Sequence, residues 1–296
     1  MRVANNISNT IGESPIWNVH TQSLVWVDAA GSDIHEYFPL NGTIKSYEVP
    51  FEITAIVPCD NQHWVCASKQ GLFLASPELD NFTLITDPFA QFPHLHCNDA
   101  VASPNGQLWL GSMNCQDLES PDGKLFQFNQ KQVQTMDAEF SVANGICFNH
   151  HLKRAYCSNM FQKVVFEYQL NDDMTEIIDK TIFVKFDDLE GLPDGLCSDR
   201  YGNIYICHWD NGKVSYYMPS PNRIGNPNKL GEVKLPVKHA TRCTFGGEYL
   251  DTLFVTTANY ELTPTEKELY PHSGQLFILN APTKGKVEPT INSALL

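Results

Sequence analysis

The chain is predicted to be an all-β protein, a six-bladed β-propeller, on three observations. An aromatic residue recurs within apolar runs at Trp26, Trp64, Trp109, Tyr156, Tyr205 and Phe254, with gaps of 38, 45, 47, 49 and 49 residues. Four polar residues, Glu13, Asn98, Asn144 and Asp194, each stand 11 to 13 residues ahead of one of those aromatics. Nearly every apolar run spans four to seven residues, too short for a helix, and is filled by β-branched and aromatic side chains. A strand-rich period of about 40 to 50 residues is the mark of a propeller, whose blades close on one another. Residues 1–296 are therefore expected to form a single domain.

Each unit reads alike. An apolar strand is followed by a strand carrying the aromatic, a short polar loop and an alternating strand. GQLWLGSM with GKLFQF, and GNIYICHWD with GKVSYYM, are clear pairs; SLVWVD with DIHEYF and TLFVTT with GQLFIL repeat the scheme. Gly, Asn and Asp before the alternating strand supply hairpin turns. The first ten residues precede the first inner strand and can provide the outer strand of the last blade, closing the ring. The polar stretch from Asn259 to His272 is the expected insertion.

Composition narrows the function. Hydrophobic residues make up 42% of the chain and charged ones 18%, which is globular. The net charge of −14 argues against nucleic-acid or anionic-membrane partners, which demand a basic surface. No signal-type or membrane-spanning apolar run is present, so a soluble, cytoplasmic protein is expected. Nine cysteines without a CxxC pair suggest buried thiols rather than a zinc ribbon or a disulfide framework. No GxSxG, Walker or Rossmann pattern occurs, leaving serine hydrolase, kinase and dehydrogenase readings without support.

In a propeller the innermost strands line a central channel, and equivalent positions converge at one mouth. Glu13, Asn98, Asn144 and Asp194 occupy such positions, while the second unit offers Ile53 or Thr54 and the sixth Arg242 and Cys243. Two carboxylates and two amides form a hard oxygen cage for a divalent cation such as Ca²⁺, Mg²⁺ or Mn²⁺. Without a cation such carboxylates repel, and one takes up a proton. Taken singly, the same residues read as an exposed turn residue, an Asx-turn at Asn98-Asp99, and hairpin turns at Asn144-Gly145 and Asp194-Gly195.

GESPIW, CNDAVASPNGQLWLGSM, ANGICF, PDGLCSDRYGNIYICHWDNGKV and TRCTFGG resemble, in this order, the regucalcin–gluconolactonase family, also called senescence marker proteins. The resemblance runs from about Gly12 to Phe254. It implies a six-bladed propeller with one divalent cation at the channel mouth, among Ca²⁺, Zn²⁺, Mn²⁺, Mg²⁺ and Fe²⁺, and hydrolysis of a sugar lactone. The metal ligands carry over onto Glu13, Asn144 and Asp194, and Asn98 faces both metal and substrate.

Two departures stand out. Members resembling the vertebrate proteins have Arg where this chain has His96, and Glu three residues after a G-T-M turn where this chain has Gln116. Substrate contacts are expected from His96, Asn98 and Gln116, with Asp194 as base. His94 beside His96 also makes a two-histidine zinc site conceivable. Metal-dependent phosphotriester or ester hydrolysis, and a non-catalytic calcium-binding propeller, are the alternatives.

Overall fold

The computed structural model describes residues 1–4, 6–130 and 132–296. It contains six antiparallel sheets of four strands each, arranged as the blades of a propeller. The six inner strands are Gly12–Asn18, Ile53–Pro58, Leu95–Ala102, Ala143–Asn149, Leu192–Ser198 and His239–Gly246, and neighbouring inner strands touch around the ring. All six aromatics of the repeat lie on the second strand of their blades and are buried.

Burial falls from the axis outward, as a ring with a dry centre requires. Ala143–Asn149 is buried throughout, whereas the outer strand Thr43–Glu48 alternates between half-buried and exposed. The apolar side chains gather into six clusters, one between each pair of neighbouring blades. The cluster joining the first and sixth blades holds Trp17, Trp26, Tyr37 and Phe254, with Trp17 stacked on Phe254 at 5.7 Å. No blade can bury its faces alone; each depends on its neighbours.

The expected closure is present. Arg2–Val3 pairs antiparallel with Phe277–Asn280 and completes the sixth blade from the other end of the chain. Asp28 fastens this segment by accepting from the backbone N–H groups of Thr10 at 2.8 Å and Ile11 at 2.9 Å. The expected insertion also appears, and it carries the short helix Pro264–Leu269, capped by Thr263 and Glu266. Among the described residues no helix is long and apolar enough to cross a membrane. All nine cysteines are free, and eight of them are buried.

One element was not anticipated. Residues 281–296 run across the end of the channel opposite the first residues of the inner strands. Gly285 N donates to Leu250 O at 2.7 Å, Lys286 Nζ to Phe148 O at 2.9 Å, Ile291 N to Pro58 O at 2.8 Å, and Gln130 N to Leu295 O at 2.7 Å. This strap touches the second, third, fourth, fifth and sixth blades and floors the channel. A chamber of roughly 30 Å³ remains above it, lined in part by Ile146, Leu196, Arg242, Thr244 and Lys286.

Candidate functional site at the channel mouth

Every inner strand breaks register with its partner at the same level. The breaks fall between Glu13 and Ile16, Ile53 and Ala55, Cys97 and Asp99, Asn144 and Cys147, Pro193 and Leu196, and Ala240 and Arg242. A bulge leaves a residue outside the ladder and re-aims its side chain. The breaks leave Thr54, Asn98, Asp194 and Thr241 outside the ladder, with Glu13 and Asn144 at their edges. Positive φ at Ser14 (51°) and Gly145 (55°) accompanies two of them. The hairpin-turn readings of Asn144-Gly145 and Asp194-Gly195 are corrected here, since both pairs lie inside strands.

Glycine beside a polar residue has a packing reason as well. A Cβ on Gly145 would stand 2.3 Å from Asp194 O, and one on Gly195 would stand 2.5 Å from the Cβ and Cγ of Arg242. These glycines let the fourth, fifth and sixth inner strands approach closely at the level of the bulges.

The structure brings Glu13, Asn144 and Asp194 together. Asn144 Nδ2 donates to Asp194 Oδ1, and Asn144 Oδ1 accepts from Gly145 N at 2.8 Å. Asp194 is 2% exposed, and burial, with the charges of Glu13 and Asp99 adding to it, drives its pKa well above the ordinary carboxylate range. Glu13 is pushed up to about 7, chiefly by desolvation and then by Asp99, against the pull of Arg242 and the Ser14 N–H. Glu13 keeps a partial opening to solvent through the mouth. Two carboxylates that both resist ionisation in one place, flanked by an amide, form the donor set that a hard divalent cation would relieve, and in that sense these residues fit one. Among the described residues no group of three or more His, Cys, Asp and Glu is disposed for a metal, so a cation here would rely on the amide.

Two residues of this tier carry more weight than the sequence suggested. Arg242, 5% exposed, donates through Nη1 to Asp99 Oδ1, and Asp99 is 2% exposed. Burial works against the guanidinium's charge, but Asp99 and Glu13 more than offset it and hold its pKa above the usual arginine range. Asp99 also accepts from Ala100 N at 2.7 Å and Ile146 N at 3.2 Å. Thr54 sits in the second blade's bulge and donates to Ala67 O at 3.2 Å.

The third blade supplies the rest. Asn98 is half-buried in its bulge, with Nδ2 donating to Ala143 O at 3.3 Å. His96, near the start of the same strand, is 8% exposed, and its Nε2 has no hydrogen-bond partner. Burial and then Lys69 push its pKa down, so the ring is neutral at pH 7. Gln116 lies on the exposed loop that follows Leu108–Asn114, its N–H donating to Asn114 Oδ1 at 2.8 Å. Gly111-Ser112-Met113 is not the turn expected, because all three lie within that strand.

The comparisons with known proteins agree with this architecture. Residues 11–259 match the family model described as SMP-30/Gluconolactonase/LRE-like region. The chain is 26% identical over 276 residues to a putative sugar lactone lactonase, YvrE, of Bacillus subtilis, covering 93% of this chain and 92% of that protein. It is also 26% identical to a 6-deoxy-6-sulfogluconolactonase of Pseudomonas putida, covering 95% and 94%. The solved structure of a calcium-binding protein, regucalcin, from Agrobacterium tumefaciens superposes with a TM-score of 0.90 at 24% identity, covering 98% of this chain and 96% of that one. That likeness speaks for the fold. With the motif-bearing bulges inside the matched span, the chain belongs to the SMP-30/gluconolactonase/LRE-like family.

Proposed function

We propose that the protein hydrolyses a sugar lactone to the open sugar acid, using one divalent cation held by Glu13, Asn144 and Asp194. The observation that carries this reading is the pair of charge-strained carboxylates at the channel mouth. Relatives whose names describe sugar lactone and sulfogluconolactone hydrolysis support it. When bound, the cation supplies polarisation of the lactone carbonyl and compensation for the oxyanion.

The chain's own groups do the rest. Asp194, ionised beside the cation, is the proposed base. It takes the proton from the attacking water as that oxygen bonds to the carbonyl carbon. Collapse breaks the bond from that carbon to the ring oxygen, and the proton returns to the departing alkoxide. The products are a carboxylic acid, which ionises near neutral pH, and an alcohol. His96, Asn98 and Gln116 bind sugar hydroxyls; the Nε2 of His96 is buried without a partner, which a hydroxyl reaching it would satisfy. A wrong stereocentre leaves such a buried group unpaired and is rejected. The floor formed by residues 281–296 restricts substrate entry to the mouth that carries these residues.

The test measures metal content, then acid release from gluconolactone, xylonolactone, arabinolactone and galactonolactone with and without EDTA. Acid release from at least one of them, abolished by EDTA and restored by a divalent cation, is expected. Turnover indifferent to EDTA would remove the cation from the mechanism, and inertness toward the whole panel would remove the substrate class.

His96→Arg is expected to change the order of preference among these lactones while leaving metal content intact. The longer cation fills the space of a neutral ring and offers different donors. A folded, metal-loaded variant with an unchanged preference would take His96 out of the pocket.

A further inference from the structure

Three carboxylates and one guanidinium share the tier of the bulges: Glu13, Asp99, Asp194 and Arg242. Asp99 is turned away from ligand duty, since Arg242, Ala100 N and Ile146 N already occupy its oxygens. Its charge nonetheless bears on both Glu13 and Asp194. Arg242 is fixed as firmly. Its stem lies against Gly195, the residue after Asp194, where no side chain would fit, and its Nη2 reaches Ile146 O at 3.4 Å. The guanidinium therefore lies in the channel wall beside the proposed ligands, where at 5% exposure solvent screens its charge only weakly.

We propose that Arg242 is a built-in counter-charge that sets how much cationic charge the mouth accepts. Three carboxylates less one guanidinium leave two negative charges, which a divalent cation neutralises. Without Arg242 the same tier would carry three, tightening divalent binding and favouring a trivalent ion. Asp99 holds Arg242 at its post and cancels its repulsion of the incoming ion. The pair is thus a positioning and charge-setting device beneath the ligands. The inference rests on the metal site proposed above.

A charge cycle tests it on the full-length protein stripped with EDTA, with Mn²⁺, Ca²⁺ and Tb³⁺ binding followed by calorimetry. Arg242→Met is expected to bind Mn²⁺ about tenfold more tightly, and Asp99→Asn about tenfold more weakly, the scale of an ordinary coupling between sites. The double variant should return to within about threefold of the wild type, because both charges leave together. Arg242→Lys, which keeps the charge, should stay near the wild type, and Arg242→Met should shift preference toward Tb³⁺ over Ca²⁺.

A merely structural ion pair would lower thermal stability in both single variants without moving affinity in opposite directions, and that result overturns the inference. If Arg242→Met does not fold, unchanged affinity in Asp99→Asn overturns it equally. Wild-type protein that takes up no divalent cation overturns this inference together with the metal reading. Wild-type binding with no opposed shifts overturns this inference alone.

Discussion

Asp194→Asn is expected to lose lactone hydrolysis by a factor of about a thousand or more, while the metal-free protein becomes more stable. Loss of a positioned base alone costs about 10²- to 10⁴-fold, and this residue is also a proposed ligand. The substitution keeps shape and size in a position 2% exposed, so the loss would not come from a cavity. Stability moves the other way because the native environment opposes the charge that Asp194 would otherwise carry. Desolvation leads, and Glu13 and Asp99 add to it. Each unit of upward pKa displacement is worth about 1.4 kcal/mol at a pH where the unfolded chain is ionised. A gain in stability at pH 8 in EDTA, read by urea unfolding, is therefore anticipated. Opposed changes in activity and stability are what a group held in strain for function produces. Near-wild-type turnover in the folded variant would exclude Asp194 as base. A metal-free variant less stable than the wild type would exclude the electrostatic account.

Much of this architecture is visible in the order of residues, and the part that is not has a physical cause. The aromatics from Trp26 to Phe254 announce six blades, because each lies on the second strand of its blade, although Trp26 and Trp64 pack toward the preceding blade and the other four toward the following one. Ring closure by Arg2–Val3 was legible from the unassigned segment ahead of Gly12. The bulges were not. An extra residue in a strand leaves the hydrophobic pattern almost unchanged, so Asn144-Gly145 reads equally well as a hairpin turn. Only the broken pairing between Asn144 and Cys147, which leaves Gly145 and Ile146 outside the ladder, shows a bulge here.

The Asp99–Arg242 pair joins residues 143 positions apart. In the chain Arg242 is one charge in the middle of the inner strand His239–Gly246, and nothing local names its partner. An arginine there was itself a signal, because a buried guanidinium requires an acid. The floor of residues 281–296 escaped notice for a different reason. It is held by backbone hydrogen bonds to five separate loops and strands and has neither the alternation of a strand nor the period of a helix.

The second large effect concerns pH and the titration of Glu13, which shares its site with Asp194, another carboxyl raised by burial. In metal-free protein the carboxyl of Glu13 has a pKa of about 7, against 4.5 in the unfolded chain. A raised native pKa means that the folded state holds the proton more tightly. The stability this contributes is complete below pH 4.5 and is lost as pH rises through 7. The full displacement corresponds to up to about 3 kcal/mol, reduced by the partial opening of Glu13 to water. Glu266, held down to about 2 by Lys238 and Thr263, acts only below pH 4.5 and leaves this window clear. The buried histidines His35, His96, His208 and His239 do not, since their lowered pKa values make stability rise with pH up to 6.5. The informative quantity is therefore the difference between Glu13→Gln and the wild type, in which the histidines cancel. In EDTA the variant should gain on the wild type from pH 4.5 to about 7 and level off above it. With a divalent cation at a thousand times its dissociation constant, binding adds about 4.1 kcal/mol to the wild type alone, which exceeds that gain, and the order of stabilities reverses. A difference flat with pH would mean that Glu13 ionises freely. A reversal that fails to appear with any hard divalent cation would mean that its proton, and not a metal, is the natural occupant of the mouth.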